Sequence, residues 1–375
     1  MYYVAGSNLF GQWLSDKTVI NNFSSMFGDQ NIMQKIQPDS EIIFVGWSYN
    51  IFKSVNKIFL IGMWNGKDKQ CEEIIFPNEE TSIFSEDCAI GGNDYHVIFV
   101  NKNSGSNYVL NIESLEWKKL TLNVETPTET RSKRAKHDSI FKLTVYNDNI
   151  LYLNDQGNVY SGLLPSYIDT KHCEGKIIDV QCGYEHNLLL TDMGFVYSWG
   201  NGRRLQLGHE GLCDLESPTL IEALSGIKIR KIAAGGWHSL ALSETGDLYA
   251  WGWNNCGQLG ILEKTSISKT EPLKTYTVPT LVDFFSSEGG EMDIDVKDMA
   301  CGSKHSVALL KDDTIWVTGN NSYGQLGLYK EPSHLQHDQS FEKSHKVDHF
   351  KKCSLEKDIN VKELRCGQWS TILST

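Results

Sequence analysis

Three segments of this chain align with one another, residue for residue and without a gap, over more than twenty positions. They begin at Cys182, Ala234 and Cys301, and in each a histidine precedes a glycine by fourteen residues. These pairs are His186 and Gly200, His238 and Gly252, and His305 and Gly319. In repeat architectures each repeat is one supersecondary unit that must stack on its neighbours to bury its apolar face. The chain is therefore predicted to fold as an array of similar units.

Each repeat has the pattern of a β-hairpin. An apolar run such as Leu188–Leu190 is followed by a polar turn, and then by a second run that ends in an aromatic residue and glycine. Gly194 and Gly246 lie in these turns and are free to take positive φ. Because the first run is apolar on both faces, it is predicted to be a strand buried between two sheets. The second position of each unit is glycine, which indicates close backbone approach at the centre of a radial array: Gly183, Gly235 and Gly302.

Half of a repeat stands at each end of the chain. The last unit opens at Cys366 and stops after one strand, whereas Gly6, Asn8, Gly11 and Gln12 match the second half of the repeat that contains Trp251. If the two halves pair, they close a ring and hide its edge strands. With the weaker copies counted, the chain is predicted to be all-β and to form a single seven-bladed β-propeller, closed by its N- and C-terminal strands. The predicted blades span 359–375 with 1–14, 41–66, 88–117, 145–163, 177–208, 229–260 and 296–327.

The type of propeller is indicated by a phrase at the end of the repeat. A spacing near 50 residues argues against WD repeats and leaves kelch repeats open, which also carry a double glycine. Trp251–Gly260 reads W-G-x-N-x-x-G-Q-L-G, and 318–327 repeats it with Thr318 in place of tryptophan. This phrase resembles the regulator-of-chromosome-condensation repeat, and the similarity is closest to a small, single-propeller branch of that family in animals. The similarity is faint over 67–176, and Leu205 replaces a glycine of the phrase.

The resemblance implies a function that the residues alone do not. It implies a non-enzymatic adaptor in the nucleus, the partner of a JmjC-type 2-oxoglutarate-dependent oxygenase, with a role in histone methylation and chromosome segregation. The founding member of the family suggests an alternative, guanine-nucleotide exchange on a Ran-type GTPase, which relies there on an inserted wedge and acidic rim residues. Asp94 and Glu185 are acidic rim candidates here, but the sequence shows no obvious wedge. A scaffold in translation or RNA modification is a third hypothesis.

Composition narrows the class of partner. The net charge of −12 repels phosphates, so direct binding of nucleic acid is not expected. No apolar stretch reaches the length of a transmembrane helix, and the N-terminus lacks the pattern of a signal peptide. Nine cysteines without a CxxC pair suggest neither a disulfide framework nor a zinc ribbon. We expect a soluble, monomeric protein of the nucleus and cytoplasm that can associate with chromosomes, needs no cofactor and touches no membrane.

Repeated histidines raise the question of a metal site. His186, His238 and His305 stand at equivalent positions and would converge on one axis, as metal ligands could. The favoured interpretation is structural, because buried polar groups that recur once per blade usually hydrogen-bond a loop that every blade needs. Other units carry different residues at the aligned position: Tyr49, Tyr95, Asp148 and Ser370. Cys182, Cys301 and Cys366 are likewise predicted to be small buried residues, and no metal ligand is assigned.

Two variable residues follow the first glycine of each unit, and identical placement puts them on one rim. The candidates for a partner-binding rim are Trp47, Asp94, Tyr184, Glu185, Trp237, Lys304 and Trp369. Exposed aromatic rings dominate interface energetics, although these rings could instead pack back on the blades.

A basic run lies outside the repeats. Arg131, Lys133, Arg134 and Lys136 resemble a nuclear import signal, although such runs are commonly solvated loops. The sequence carries no nucleophile elbow, P-loop, dinucleotide fingerprint or HExxH motif, so no catalytic residue is assigned and no enzyme activity is expected.

Overall fold

The computed structural model describes most of the chain. The described residues are 1–13, 15, 17–25, 36, 40–54, 57–76, 88–102, 107–120, 140–262, 275–286, 288–328, 346–355 and 359–375. Within them, 28 strands form seven four-stranded antiparallel sheets, and two further short strands form a hairpin. The innermost strands of neighbouring sheets contact one another around a common axis. The predicted seven-bladed β-propeller is therefore confirmed.

The strands have the following bounds. The first fifteen are β1 (Tyr2–Ser7), β2 (Val19–Ser25), β3 (Glu41–Val45), β4 (Tyr49–Ser54), β5 (Lys57–Trp64), β6 (Lys67–Glu73), β7 (Cys88–Gly92), β8 (His96–Asn101), β9 (Asn107–Asn111), β10 (Trp117–Leu120), β11 (Ile140–Tyr146), β12 (Asn149–Asn154), β13 (Val159–Ser161), β14 (Ser166–Tyr167) and β15 (Ile177–Cys182). The others are β16 (His186–Thr191), β17 (Val196–Gly200), β18 (Leu215–Leu220), β19 (Ile229–Ala234), β20 (His238–Ser243), β21 (Leu248–Gly252), β22 (Tyr276–Leu281), β23 (Phe284–Phe285), β24 (Glu291–Met292), β25 (Val296–Cys301), β26 (His305–Leu310), β27 (Ile315–Asn320), β28 (Lys346–Lys352), β29 (Glu363–Gly367) and β30 (Ser370–Ser374). A 3-10 helix spans Glu222–Leu224.

Each blade is a meander of four strands, named a to d from the axis outward. Blade 1 is β3–β6, blade 2 is β7–β10, blade 3 is β11–β14, blade 4 is β15–β18, blade 5 is β19–β22, and blade 6 is β25–β28. Blade 7 takes its strands a and b from β29 and β30, and its strands c and d from β1 and β2. The hairpin β23–β24 lies in the connection from blade 5 to blade 6.

The two ends of the chain close the ring. Strand β1 pairs antiparallel with β30, from Tyr2 opposite Ser374 to Gly6 opposite Ser370. Beyond the ladder, the Thr375 amide donates to the Met1 carbonyl over 3.0 Å. The terminal pairing predicted from the two half repeats is therefore present, and it removes the edge that an open blade would expose.

The core is divided among the seven spaces between neighbouring blades. Among the described residues, seven apolar clusters fill these spaces, one for each pair of adjacent blades. In strand β16, Leu189 packs toward blade 3, whereas Leu188 and Leu190 pack toward blade 5, and all three are at most 1% exposed. The continuous apolar runs of the sequence thus correspond to strands that are buried on both faces.

Strand d lies outside several of the predicted blade spans. In blades 4, 5 and 6 the predicted spans end at 208, 260 and 327, whereas strand d begins at Leu215, Tyr276 and Lys346. These outer strands bury only one face, and a strand such as β18 contains a single buried residue. Without an apolar run, such strands give little sequence signal.

Candidate functional site

The a–b turns and the c–d loops open on the same side of the propeller, because strands a and c both run toward it and strands b and d run away. We call this side the rim face. It contains every one of the predicted rim residues, since each of them lies in an a–b turn.

The repeated histidines clasp each blade to the next. The imidazole Nε2 atoms of His186, His238 and His305 lie 3.0, 2.9 and 3.2 Å from a hydroxyl of the following blade. These hydroxyls belong to Ser239, Ser306 and Thr371, and they donate to the carbonyls of Gln206, Gln258 and Gln325 over 2.9, 2.6 and 2.7 Å. Because each hydroxyl proton is used in that bond, the imidazole must donate its Nε2 proton. The favoured structural interpretation of the histidines agrees with these contacts.

Burial keeps these imidazoles neutral. Desolvation lowers the pKa of His186 and of His238 to about 3, and that of His305 to about 4. All three histidines are 0% exposed. Among the described residues, no three His, Cys, Asp or Glu side chains lie close enough together to hold a metal ion.

The first glycine of each unit is needed because the histidine ring lies on it. A Cβ at Gly235 would stand 2.1 Å from Cε1 of His238 and 2.7 Å from the Gly302 carbonyl of the next blade. Gly183 and Gly302 are confined in the same way by His186 and His305. The close backbone approach predicted for these glycines is therefore present.

In blades 2 and 3 the repeat is aligned one residue later than predicted. The amide of Asn93 donates to the His96 carbonyl, as Gly183 does to His186 in blade 4, and Tyr146 pairs with Asn149 in the same place. His96 and Asn149, rather than Tyr95 and Asp148, therefore occupy the histidine position. The alignment shifted because Asn93 and Tyr146 replace the glycine on which it was anchored.

The a–b turns bond to one another around the axis. Amides of Tyr184, Gly236 and Ser303 each donate to a carbonyl of the following blade's turn, over 2.8 to 3.2 Å. Side-chain contacts also cross the axis: the hydroxyls of Tyr146 and Ser303 lie 2.7 Å apart, and Gln368 Nε2 donates to Asn147 Oδ1 over 3.2 Å. These contacts bridge the centre of the rim face.

Trp47 and Trp369 come together in one aromatic cluster, with ring centroids 6.0 Å apart. Tyr323 lies 5.8 Å from Trp47 and 5.2 Å from Trp369, and Phe10 lies 5.6 Å from Trp47. We call these four residues the aromatic cluster. Each ring remains partly exposed. The rings therefore pack on one another, in edge-to-face contacts, while still presenting apolar surface to solvent.

Trp237 belongs to a second group that also contains Lys304. Its ring lies 5.4 Å from that of Tyr184. The Arg204 guanidinium lies 5.1 Å from the Trp237 ring and 4.0 Å from the Trp253 ring, and Lys304 Nζ lies 5.2 Å from the Trp253 ring. We call Arg204, Trp237, Trp253 and Lys304 the cationic patch.

The two predicted acidic residues lie in different a–b turns. Asp94 is exposed in the a–b turn of blade 2, where partial desolvation and the charge of Asp148 in blade 3 raise its pKa. Glu185 is exposed in the a–b turn of blade 4, where its carbonyl accepts from the Asn201 amide, in the loop that carries Arg204, over 2.8 Å. The seven predicted residues thus share one face, and Glu185 lies beside the loop of the cationic patch.

Four important residues were missed by the sequence interpretation: Phe10, Arg204, Trp253 and Tyr323. Three of them, Phe10, Arg204 and Tyr323, stand directly before the G-Q step of the repeat phrase, or before its Leu205 counterpart. That position projects next to the a–b turn of the following blade. Comparing the variable positions of the phrase would have found them.

The repeated cysteines and the pair of His209 and Ser198 could in principle be reactive, but their surroundings indicate structural roles. Of the three cysteines predicted to be buried, Cys182 is buried, whereas Cys301 and Cys366 are partly exposed. Desolvation raises the pKa of Cys182 and of Cys366 to about 12 and that of Cys301 well above its usual range, so these thiols remain protonated at neutral pH. His209 Nε2 lies 3.0 Å from the hydroxyl of Ser198, which is fully buried and donates to the Leu207 carbonyl over 2.6 Å. Since that proton is already bonded, the imidazole does not act on Ser198 as a general base.

Two further predictions concern a nuclear import signal and the absence of a membrane span. The basic residues Arg131, Lys133, Arg134 and Lys136 lie outside the described residues, so the import signal stays a prediction. No helix among the described residues has the length and apolar character required to span a membrane.

Comparison with known proteins identifies the repeat. Residues 177–206, 229–258 and 296–325 match the Regulator of chromosome condensation (RCC1) repeat, and a second repeat model of that description matches 193–242 and 245–309. RCC1 domain-containing protein 1 of Mus musculus is 32% identical over 225 residues, which cover 53% of this chain and 55% of that protein. The Homo sapiens protein of that name is 33% identical over 221 residues, which cover 51% and 54%. The chain thus spans about half the length of the curated relatives it matches.

A solved structure shares the fold across nearly the whole chain. Prp20p from Saccharomyces cerevisiae, whose binding properties to Gsp1p and histones are described, superposes with a TM-score of 0.72 at 17% identity, covering 99% of this chain and 90% of that one. The repeats match in sequence and the propeller matches in shape. The chain is therefore a seven-bladed propeller that carries, within residues 177–325, repeats of the regulator-of-chromosome-condensation (RCC1) type.

Proposed function

We propose that this protein is a non-enzymatic platform that docks a protein partner on its rim face. The aromatic cluster carries this proposal, because four partly exposed rings from three different blades form one contiguous apolar surface. Trp and Tyr side chains that are already packed lose little conformational freedom on binding, which makes them strong interface anchors. The hydrogen bonds among the a–b turns hold the centre of the face rigid beneath such a partner.

We propose further that the partner is a JmjC-type 2-oxoglutarate-dependent oxygenase, and that the complex acts in histone methylation and chromosome segregation. The support is the resemblance to a single-propeller branch of the repeat family, together with the similarity to RCC1 domain-containing protein 1. The proposal places the protein in the nucleus and cytoplasm, with association to chromosomes through the partner.

Removal of two aromatic rings tests the docking surface. The protein, the double variant Trp47→Ala/Trp369→Ala and the control Phe141→Ala are immobilised and exposed to nuclear extract from dividing cells. Phe141 is an exposed aromatic residue near the start of β11, at the end of the strand that lies away from the rim face. We expect quantitative mass spectrometry to find a JmjC oxygenase on the unaltered protein and on the control. Loss of two central anchors should reduce its recovery by about tenfold or more.

Two results would contradict the proposal separately. Equal recovery on a folded double variant, as judged by its thermal melting, would show that docking does not use the aromatic cluster. If no JmjC oxygenase is retained on any form, the choice of partner is wrong.

Guanine-nucleotide exchange on a Ran-type GTPase is the second candidate. Asp94 and Glu185 favour it, since both carboxylates are exposed on the rim face and acidic rim residues take part in exchange by the founding member of the family. The shared fold with Prp20p, which has binding properties to Gsp1p, adds to this support. Release of labelled nucleotide from a Ran-type GTPase, measured with and without the purified protein, separates the candidates, because a docking platform leaves the release rate unchanged.

A further inference from the structure

The cationic patch concentrates positive charge on an acidic protein. Arg204 comes from the c–d loop of blade 4, Trp237 and Trp253 come from the a–b turn and c–d loop of blade 5, and Lys304 comes from the a–b turn of blade 6. The whole chain has a net charge of −12. Within the part of the chain that the structure describes, neither Arg204 nor Lys304 forms an ion pair with a carboxylate.

Stacking holds these cations in place without neutralising them. A guanidinium that lies on indole faces is attracted by the ring electrons, while the N–H groups at its edge remain able to donate. The loop beneath is also fixed: the Arg204 amide donates to Gln206 Oε1 over 2.9 Å, and the Gln206 carbonyl accepts from Ser239 and from the Trp251 indole. Arg204 is therefore pre-ordered for a bidentate bond to a carboxylate.

The spacing of the two cations defines what they can bind together. Arg204 and Lys304 both lie within about 5 Å of the Trp253 ring, so their charged groups are at most about 9 Å apart. In an extended peptide, side chains at positions i and i+2 point the same way and lie about 7 Å apart. Two carboxylates separated by one residue fit within this limit.

We propose that the cationic patch binds an extended acidic segment of the partner protein, with carboxylates two positions apart on Arg204 and Lys304. This inference rests on the proposed docking function and adds the chemistry of the segment recognised. A nucleic acid would also present anions to these residues, but it carries a charge at every phosphate. The net charge of the chain and the exposed carboxylates of Asp94, Asp148 and Glu185 on the same face therefore oppose it more strongly than they oppose a short segment with a few carboxylates.

Fluorescence anisotropy with synthetic probes tests the proposal. The probe is a labelled ten-residue peptide of alternating glutamate and alanine, and its glutamine counterpart is the control peptide. We expect the purified full chain to bind the glutamate peptide but not the glutamine peptide, with an affinity that falls as salt is added. In the double variant Arg204→Gln/Lys304→Gln the affinity should fall by about tenfold or more, since two charge-assisted contacts are lost.

A matched variant on the other side of the propeller controls for net charge. Lys171 and Lys176 are exposed in the connection from blade 3 to blade 4, so Lys171→Gln/Lys176→Gln removes two positive charges without altering the patch, and it should leave the affinity unchanged. The single variant Arg204→Lys should bind more weakly than the unaltered protein but more tightly than the double variant, because an ammonium keeps the charge but cannot form the bidentate bond.

Three results would overturn the inference: equal binding of both peptides, unchanged affinity in the double variant, or tighter binding of a labelled single-stranded oligonucleotide that the double variant abolishes. The last result would assign the patch to nucleic acid. If the peptide fails while the oxygenase is still recovered on the immobilised protein, only this inference is wrong. If the peptide binds but no oxygenase is recovered, the inference about the cationic patch is supported and the choice of partner is wrong.

Discussion

At the scale of single residues, the protonation state of the repeated histidines affects the stability of the fold. His238 joins blade 5 to blade 6 through Ser306, and His186 and His305 repeat the contact in adjacent blades. A neutral, fully buried imidazole satisfies the hydroxyl of the next blade, whereas a protonated one would place an unsolvated charge between two apolar cores. The same residue that makes the repeat recognisable therefore makes the fold sensitive to acid.

We predict that stability falls as the pH is lowered from about 6.5 toward 4. The pKa values of these histidines are near 3 to 4 in the folded protein and about 6.5 in the unfolded chain, so the unfolded chain binds more protons in this window. Between pH 7.5 and 5, each histidine should cost about 2 kcal/mol. Urea unfolding at several pH values measures the loss. The variant His305→Asn, with the residue that blade 3 uses at this position, should show a shallower pH dependence, and an unchanged slope would contradict the assignment.

At the scale of elements, the c–d loop of blade 4 differs from its counterparts because leucine replaces a glycine of the repeat. Gly11, Gly257 and Gly324 occupy the G-Q step with φ between 70° and 84°, and Leu205 occupies it in blade 4 with φ of 64°. Leucine in this left-handed region is strained by about 1–2 kcal/mol, because its Cβ approaches the following carbonyl. Leu205 therefore stores strain in the loop that presents Arg204.

Exchange of these residues tests the loop. We expect Leu205→Gly to raise the free energy of unfolding by about 0.5–1 kcal/mol, since the relief of strain exceeds the added freedom of the unfolded chain. The reverse change, Gly257→Leu, should lower it by about 3 kcal/mol, because a Cβ there would stand 2.3 Å from the Val347 carbonyl. Chemical denaturation of both variants gives the two values, and destabilisation by Leu205→Gly would show that the leucine side chain outweighs the strain.

The strands and loops also show how much of the structure could be predicted from the sequence. Strand b was predictable in blades 4 to 6, because two buried faces leave an apolar run after the repeated histidine. Strands a and c followed from their constant position in the aligned repeat. Strand β18 was not predictable, since a strand with one buried residue resembles a polar loop. The rim face followed from the position of the turns, whereas the stacking of Arg204 between Trp237 and Trp253 depends on three loops of two blades, which no local pattern reports.

At the scale of the whole molecule, the ring depends on one pair of strands contributed by opposite ends of the chain. Val4 and Ala5 of β1 are at most 1% exposed, and they belong to the two apolar clusters that join blade 7 to its neighbours. Deletion of residues 1–25 removes strands c and d of blade 7 and leaves the inner strand β30 as an edge. The stability of the entire ring therefore rests on this closure.

Two chain alterations test the closure in opposite directions. The deletion of residues 1–25 should abolish cooperative thermal unfolding, because both clusters around blade 7 lose their partners. A circular permutant that joins Thr375 to Met1 by a short glycine linker, and opens between Met193 and Gly194 in a b–c turn, should keep the fold and melt within a few degrees of the original. Circular dichroism on heating distinguishes these outcomes, and a deletion variant that melts like the intact chain would refute the dependence.

The backbone hydrogen bond between Thr375 and Met1 lies where the other blades have their b–c turns. Both termini therefore emerge side by side and point away from the rim face. A tag, a surface linker or a neighbouring domain attached at either end would stand behind the propeller. Immobilisation through a terminus therefore leaves the aromatic cluster and the cationic patch accessible, and two cargoes fused to the two ends would be held next to each other.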